Sequence, residues 1–351
     1  MKAVRFLSVA MLLFSLNCVQ SQDCTPDPNF IQCLPSGSLH GYLFQVFQDT
    51  WGDPQGPSPC AGGWNATKFE YEFKDFEFHI HEDLYIDLDV KYTNCRFYFY
   101  GGSKLVITNK HAIIQEPHPN ATDIDAEFID CEFSGCNELW QGIKPVVYDN
   151  HAGPNVTLTG CEIRDAYIAL EVSRRGNFDI SSTDFIDNVI GMEATWWRRL
   201  NISGCTFEGQ NILKPPYSGL TLNSNVSQNG IISELRETFS VLNSVDVNSF
   251  INLKCAIRFT GGSSPSRLGV SNQIFVANDT CIHAENTSSV SVNRNDMTYN
   301  SIGINVVNPK AGAQINIGTG GKNTMSCANN GLCFSAIQLR NVQNAERAII
   351  N

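Results

Sequence analysis

The sequence predicts an all-β solenoid, a coil of short parallel strands stacked turn upon turn. One segment pattern occurs three times, at residues 156–163, 178–185 and 200–207. Its last residues, Ile163, Phe185 and Phe207, lie 22 positions apart, and a fixed period of about 20–50 residues is typical of stacked repeats. Few stretches show helical periodicity, so the strands must be joined by short turns.

Each turn carries a large apolar residue, called the anchor from here on, at one position of the repeat. The anchors are Phe97, Phe133, Ile163, Phe185, Phe207, Phe250, Phe275 and Met297. Gaps of 36 and 30 residues between the first three predict loop insertions near residues 116–119 and 145–154. The gap of 43 residues from Phe207 to Phe250 is close to two periods, which predicts a degenerate turn at residues 220–225.

Positions at fixed offsets from the anchor predict columns of similar side chains. Two residues before the anchor stand Cys95, Cys131, Cys161, Thr183 and Cys205. A cysteine in such an inward position behaves as a small buried hydrophobe, so this column is predicted to be a core ladder. Three residues after the anchor stand Asn188, Gln210, Asn278 and Asn300, which predicts a ladder of amides at a turn. Trp140, seven residues after Phe133, takes an inward position and is predicted to pack in the core.

The chain has thirteen cysteines, and export would permit disulfides. Cys161 and Cys205 are two turns apart, so their Cα atoms would be roughly 9–10 Å apart, beyond disulfide reach. A Cys131–Cys161 pair on adjacent turns remains open. Better candidates lie outside the ladder, namely Cys24–Cys33 near the start and Cys327–Cys333 near the end. No CxxC pair occurs, so the spacing typical of zinc sites is absent.

The first 21 residues read as a secretory signal peptide, with a charged start, a short apolar run at residues 6–16 and cleavage after Ser21. That run is shorter than the roughly 20 residues that span a bilayer, and no later segment is apolar enough to anchor the chain. We therefore expect a secreted, extracellular protein that does not span a membrane. An alternative is a lipoprotein leader in which Cys18 is acylated.

Residues 22–65 are rich in cysteine and proline and lack the period, so we expect an irregular N-terminal cap over the first open edge of the solenoid. A separate binding module is the alternative. The solenoid is predicted over residues 66–351. Because the last residues read as another turn without a polar cap, we expect the natural chain to continue beyond Asn351 or this chain to be a fragment.

A resemblance to a known family rests on the segments Leu-Trp-Gln-Gly-Ile at residues 139–143 and Cys-Glu-Ile-Arg-Asp-Ala at residues 161–166. This pair resembles the repeats of secreted bacterial right-handed parallel β-helix proteins, which share the pectate-lyase-like fold. The resemblance covers about residues 85–351. It implies a right-handed parallel β-helix with turns of about 22 residues, and it carries no agreed activity.

Charge and missing motifs limit the function. A net charge of −11 without a basic cluster argues against nucleic acid and anionic membranes, and against polyanions such as pectin unless a local basic patch exists. The Arg-x-Pro-x-x-Arg segment of related lyases is missing. Related hydrolases use the motifs Asn-Thr-Asp, Asp-Asp, Gly-His-Gly and Arg-Ile-Lys. Only the first has a partial counterpart in this chain, Ser182-Thr-Asp184. We therefore expect a scaffold without cofactors that presents an extended surface to a polysaccharide or cell-surface glycan.

The alternative is a polysaccharide lyase or glycoside hydrolase with unfamiliar carboxylates. Asp165 and Asp187 follow their anchors by two residues on successive turns. Their side chains would be roughly 5 Å apart, near the separation of a retaining pair, or a Ca²⁺ ion would bridge them. Asp184 and Asp179 are further candidates on the same turn. The competing interpretation is that these aspartates serve only as turn residues.

Aromatic and histidine side chains give weaker indications. Trp196 and Trp197 precede Arg198 in a link between two turns, where aromatic rings suit either sugar stacking or packing of the link on the coil. His79 and His81 alternate on a predicted strand. Because no third ligand is in view, they are interpreted as a polar strand face and not as a metal site.

Overall fold

The protein is a parallel β-helix in which a typical turn contributes three strands, and like strands of successive turns pair side by side. The structure is a computed structural model, and the residues it describes are 24–34, 37–38, 63–65, 70–108, 124–147, 153–173, 175–195, 197–235, 238–241, 246–262, 265–298, 300–326, 335–342 and 347–350. The predicted all-β solenoid is thereby confirmed. Within the described ranges no helix is long and apolar enough to cross a membrane.

Sheet 1 is formed by the first strand of each turn and is divided into two blocks. The seven-stranded block consists of Gly63–Asn65, Glu70–Lys74, Val90–Thr93, Asp125–Ile129, Asn155–Thr159, Asn177–Ser181 and Arg199–Ser203. The five-stranded block consists of Thr238–Val241, Arg267–Ser271, Ser289–Asn293, Gln314–Ile317 and Arg347–Ile350. Gly63–Asn65 pairs antiparallel with Glu70–Lys74, whereas the successive turns of the coil pair in parallel.

Sheets 2 and 3 are formed by the second and third strands, and each runs through eleven strands. Sheet 2 consists of Ile31–Cys33, Phe76–Ile80, Arg96–Phe99, Glu132–Gly135, Glu162–Arg164, Asp184–Ile186, Thr206–Glu208, Ser249–Ile251, Ile274–Val276, Asp296–Thr298 and Thr324–Ser326. Sheet 3 consists of Gly37–Ser38, Leu84–Ile86, Lys104–Thr108, Gly142–Val146, Ile168–Val172, Ile190–Ala194, Asn229–Leu235, Cys255–Gly261, Thr280–Glu285, Ile302–Val307 and Ser335–Arg340.

Two tight corners on either side of sheet 2 use residues in the left-handed region. The corner before sheet 2 lies three residues ahead of the anchor, as at Asn94 (φ 50°), Asp130 (φ 52°) and Gly160 (φ 64°). The corner after it lies two residues past the anchor, as at Asp165 (φ 60°) and Asp187 (φ 52°). Glycine, asparagine and aspartate tolerate this geometry best, so the period brings these residue types to the corners.

The predicted anchors form one continuous column inside the coil. Phe97 pairs with Phe133, Phe133 with Ile163, and the register continues without a slip to Met297 and Met325. The Phe207 ring stacks on Phe185 with centroids 4.6 Å apart and on Phe250 at 5.0 Å. These separations match the spacing of neighbouring strands, about 4.8 Å, so each ring covers the next one.

The prediction of a degenerate turn at residues 220–225 is wrong. Phe207 pairs directly with Phe250, so these residues belong to adjacent turns, and residues 209–228 leave the coil as an excursion between the second and third strands of one turn. Its apolar side chains pack on the outside of the coil instead of inside it. They form a separate cluster in which Leu139, Val189 and Leu213 are buried, and Tyr217, Leu220 and Leu222 pack against them. Of the two predicted insertions, residues 109–123 and 148–152 lie outside the described residues.

The N-terminal cap contributes strands, although an irregular cap was expected. Ile31–Cys33 pairs in parallel with Phe76–Ile80, and Gly37–Ser38 pairs with Leu84–Ile86. These strands occupy the first edges of sheets 2 and 3, so the coil begins earlier than residue 66.

The expected Cys24–Cys33 disulfide is wrong, because Cys24 is bonded to Cys136 with Cα atoms 5.8 Å apart, while Cys33 belongs to a different disulfide. The segment after Cys24 crosses the outer face of sheet 2, where Asp27 contacts Arg96, and this brings Cys24 beside Cys136. Cys327, Cys333, Cys18 and the signal peptide lie outside the described residues.

Replacing Phe207 by alanine should lower the free energy of unfolding by about 3–5 kcal/mol, because the ring is 1% exposed and covers two neighbouring rings. Ile274→Ala is the control, since Ile274 lies on the same sheet but is 37% exposed, and its loss should be below about 1 kcal/mol. Urea unfolding followed by circular dichroism measures both. Equal losses in the two variants would contradict the inward column.

Candidate functional site

The cysteine column lies inside the coil. Cys95, Cys131, Cys161 and Cys205 are free and at most 2% exposed, and Thr183 between them is fully buried. The Cys131–Cys161 disulfide that the sequence left open is therefore not formed. Burial raises the pKa of the Cys205 thiol to about 11, so the thiol stays protonated and is a poor nucleophile. The column serves packing.

Beyond Cys205 the same column continues with amides that were not predicted from the sequence. The continuation consists of Asn248, Gln273, Asn295 and Asn323, each two residues before an anchor-column residue. Asn248 Nδ2 donates to Gln273 Oε1 at 2.9 Å, and Asn295 Nδ2 donates to Asn323 Oδ1 at 3.0 Å. Their offset from the anchor, the same as that of the thiols, was the signal that would have revealed them.

Three members of the predicted amide ladder lie inside the corner after sheet 2. Asn188 Oδ1 accepts from the backbone of Ala166, one turn back, at 2.8 Å, and its Nδ2 donates to Ile163 O at 2.8 Å. Asn278 and Asn300 make the same kind of contact, with Asn300 Oδ1 accepting from Asn278 N at 2.7 Å. The prediction that Gln210 belongs to this ladder is wrong, because the chain enters the excursion at this residue. The Gln210 side chain is exposed and donates a hydrogen bond to Glu208.

Asp165 and Asp187 lie at the same corner on adjacent turns, where their carboxylates bind residues of the excursion. Both are below 10% exposed. The Asp165 carboxylate pairs with Lys214 Nζ at 2.9 Å. Asp187 Oδ1 accepts from the backbone of Gln210 at 2.7 Å and of Asn211 at 2.8 Å. Burial raises the pKa of Asp165, and Lys214 opposes this shift.

The other predicted site residues are dispersed. Asp184 is on sheet 2, where its strand lies between the strands of Glu162 and Thr206. His79 is 8% exposed, with Nε2 2.8 Å from Glu77 Oε1 and Nδ1 3.0 Å from the Tyr100 hydroxyl. His81 is exposed and stacks on Tyr100. Across the described ranges no three His, Cys, Asp or Glu side chains converge as metal ligands.

A groove of about 530 Å³ lies on the outer face of sheet 1, beside the predicted sugar-contact segment. Arg198 lines it, together with Asn155, Asn177, Asp179 and Arg199. Trp197, next to Arg198, is half-buried and packs against the hydrophobic core. Trp196 lies outside the described residues. The structure therefore brings the predicted arginine to a groove, while the described tryptophan packs on the coil.

Amides along this groove are held by hydrogen bonds that run along the coil axis. Asn177 Nδ2 donates to Asn155 Oδ1, and Asn155 Nδ2 donates to Asp125 Oδ1, both at 2.6 Å. In the neighbouring column, Asn201 Nδ2 donates to Asp179 Oδ1 at 2.6 Å. Each amide has two N–H groups and a carbonyl with two lone pairs, so one such bond leaves further donor and acceptor capacity for a ligand.

A second carboxylate pair lies on the outer face of sheet 3, away from the predicted aspartates. Glu171 and Glu193 are in register on adjacent strands. Lys144 Nζ forms an ion pair with Glu171. Burial, followed by the charges of Glu171 and Glu234, raises the pKa of Glu193. The two carboxyl groups therefore differ in environment, since Glu171 is paired with Lys144 whereas the pKa of Glu193 is shifted towards the protonated form.

Comparison with known proteins gave no match to a family model, to a curated protein or to a solved structure.

Substituting Asp187 by alanine should destabilise the protein by about 2–3 kcal/mol, since two backbone N–H groups of the excursion lose their acceptor. Limited proteolysis within residues 209–228 should become faster, and thermal unfolding should shift to lower temperature. Asp187→Asn is the matched control because asparagine keeps an acceptor oxygen and tolerates the positive φ. An alanine variant as stable and as resistant as the asparagine variant would contradict this role.

Proposed function

We propose that the protein is an exported, non-catalytic β-helix scaffold that binds an uncharged polysaccharide along the outer face of sheet 1. The observation that carries the proposal is the amide-lined groove beside Arg198 and Arg199. The charged and then apolar start of the chain supports export.

Sugar hydroxyls both donate and accept hydrogen bonds, and the groove offers both kinds of partner. Asn155 and Asn177 supply donors and acceptors, whereas Asp179 supplies acceptors only. Because neighbouring residues already hold these side chains in place, a ligand would lose little of its binding energy to ordering them. Neighbouring strands are about 4.8 Å apart, close to the length of one sugar unit, so successive turns can meet successive units.

The electrostatics of the groove favour a neutral ligand. Asp179 is 3.4 Å from Arg199 Nη2, so positive and negative groups of the groove partly compensate each other. The whole chain carries a net charge of −11, which repels polyanions at long range. An uncharged polysaccharide meets no such repulsion.

Asn177→Ala should weaken polysaccharide binding about tenfold, since a hydrogen bond and the fixed orientation of Asn155 are both lost. Affinity electrophoresis through a panel of neutral polysaccharides, followed by calorimetry with the strongest ligand, measures this. Asn316→Ala is the control because Asn316 is half-buried on the other block of sheet 1, away from the groove. Binding by wild type to none of the neutral polymers, or equal loss in both variants, would sink the proposal.

A second candidate function is glycoside hydrolysis at Glu171 and Glu193. In-register residues on neighbouring strands are about 4.8 Å apart, near the roughly 5–5.5 Å between the carboxyl groups of retaining glycosidases. Glu193, with its raised pKa, would be the general acid, and Glu171, which pairs with Lys144, the nucleophile.

The raised pKa of Glu193 means that the folded protein binds this proton more tightly than the unfolded chain does. Its stabilising effect is therefore present at low pH and is lost as pH rises above the unfolded pKa, about 4.3. Glu193→Gln should accordingly stabilise the protein at pH 7 by about 0.5 kcal/mol, after allowing for solvent screening, with the difference vanishing near pH 4. Thermal unfolding across this pH range measures the effect.

The same variant tests catalysis when it is incubated with the polysaccharide panel, with and without Ca²⁺. If the hydrolase candidate holds, wild type and Glu285→Gln release reducing ends and Glu193→Gln does not. Absence of new ends with wild type would rule the hydrolase candidate out and leave the binding proposal standing.

A further inference from the structure

A second groove, of about 400 Å³, lies on the outer face of sheet 3 and shares no lining residue with the groove on sheet 1. It is bordered by Asn229–Leu235, Cys255–Gly261 and Thr280–Glu285, three consecutive strands. The lining side chains that matter chemically are Asn229, Lys254, Arg258, Asp279, Thr280 and His283. None of them belongs to the polysaccharide groove or to the Glu171–Glu193 pair.

The register brings the basic groups together. Arg258 and His283 are paired positions on adjacent strands, so their side chains leave the same face about 4.8 Å apart. Lys254 and Asp279 are neighbours at the corner that precedes these strands, because Cys255 pairs with Thr280. The groove therefore has cations on two sides and one carboxylate at its edge.

The two permanent cations are exposed and remain available. Neither Lys254 nor Arg258 forms an ion pair with any described residue, although the chain has 35 acidic and 24 basic residues. The Asn305 amide donates to His283 Nδ1 at 3.1 Å, which leaves the proton of the neutral ring on Nε2. His283 Nε2 lies 3.9 Å from Glu285 Oε2, beyond an ordinary hydrogen bond, so its N–H has to turn from this carboxylate to a bound anion, whereas Lys254 and Arg258 can donate to the anion directly.

We propose that this groove binds a sugar unit that carries a sulfate or phosphate ester. Lys254, Arg258 and His283 would hold the tetrahedral oxyanion by charge-assisted hydrogen bonds. A bare anion would be repelled by Asp279, whereas a sugar offers hydroxyl donors to this carboxylate and to Asn229 and Thr280. The ligand class therefore combines an oxyanion with hydroxyl groups, and the site is independent of the sheet 1 proposal.

Protonation of His283 should strengthen binding. Burial, and then the charge of Arg258, lowers the pKa of His283, while Glu285 on its own strand raises it and Arg340 lowers it. Asn305 on the next strand contacts the ring, and Lys254 and Asp279 line the same groove. A bound oxyanion would raise this pKa, and a sulfate ester keeps its single charge over this range, so affinity for the sulfate ester should increase as pH falls from about 7.5 to about 5.5. A phosphate ester, with a second pKa of about 6, loses part of its own charge over the same range and should gain less.

The experiment is calorimetric titration with glucose 6-sulfate, glucose 6-phosphate, glucose, glucuronate and inorganic sulfate. We expect the two esters to bind, glucose and inorganic sulfate to bind at least tenfold more weakly, and glucuronate to bind more weakly than the esters. A difference between the two esters identifies which one the groove prefers. Glucose or glucuronate binding as tightly as the esters, or no ester binding at all, would overturn the proposal.

Variants locate the site. Arg258→Gln should lower ester affinity about tenfold or more, while Arg267→Gln, an exposed arginine on sheet 1, should leave it unchanged. Asp279→Asn should improve inorganic sulfate binding and weaken discrimination in favour of the sugar esters. If Arg258→Gln folds poorly, Arg258→Lys keeps the charge and should bind the esters with intermediate affinity. Unchanged ester binding in a folded Arg258→Gln protein would place the ligand elsewhere.

Variants can test the polysaccharide proposal for sheet 1 and the ester proposal for sheet 3 separately. Arg258→Gln should leave binding of the neutral polysaccharide unchanged, and Asn177→Ala should leave ester binding unchanged. A joint loss in either variant would show that the two grooves do not act separately.

Discussion

A parallel coil depends on one constraint, that the inward position of every turn lies directly over that of the turn before. A shift of one residue would exchange the inner and outer faces of a strand, so register is strictly selected wherever the interior is apolar. The column from Phe78 to Met325 meets this constraint at every step. The left-handed corners on either side of sheet 2 keep the distance from corner to anchor constant. Loops of different length can therefore enter elsewhere without moving the column, which is why Phe207 and Phe250 stack although 43 positions separate them.

The interior was predictable because it is periodic. An offset of two residues from the anchor was sufficient to predict the buried thiols, and the same offset leads to Asn248 and Gln273. The excursion was misjudged because the gap from Phe207 to Phe250 is close to two periods and the apolar pair Leu220 and Leu222 resembles an inward strand. Their partners, Leu139 and Val189, lie outside the coil, and only the folded arrangement shows this. The Cys24–Cys136 bond was equally beyond prediction, since it depends on the path of the cap across sheet 2.

Candidate site residues were harder to predict because corners and ligand sites favour the same residue types. Aspartate suits a left-handed corner, so the recurrence of Asp165 and Asp187 followed from geometry, and their carboxylates hold the excursion. Residues of the groove on sheet 1 do recur at a fixed position of the repeat in the sequence. Asn155 and Asn177 each stand eight residues before an anchor, yet their significance depends on which strand face meets solvent. The Glu171–Glu193 pair recurs in the same way and was missed for the same reason.

Stability and recognition occupy opposite faces of the same strands. Inward side chains form continuous columns, so a change there disturbs the contacts with both neighbouring turns. Outward side chains on sheets 1 and 3 contribute little to these columns, and surface substitutions usually alter stability by less than about 0.5 kcal/mol. The amide-lined groove and the cation-lined groove can therefore differ in charge while the coil beneath them stays the same. Because hydrogen-bonded strands fix each outward position to within the strand spacing, a ligand that spans several turns meets a row of groups already in place.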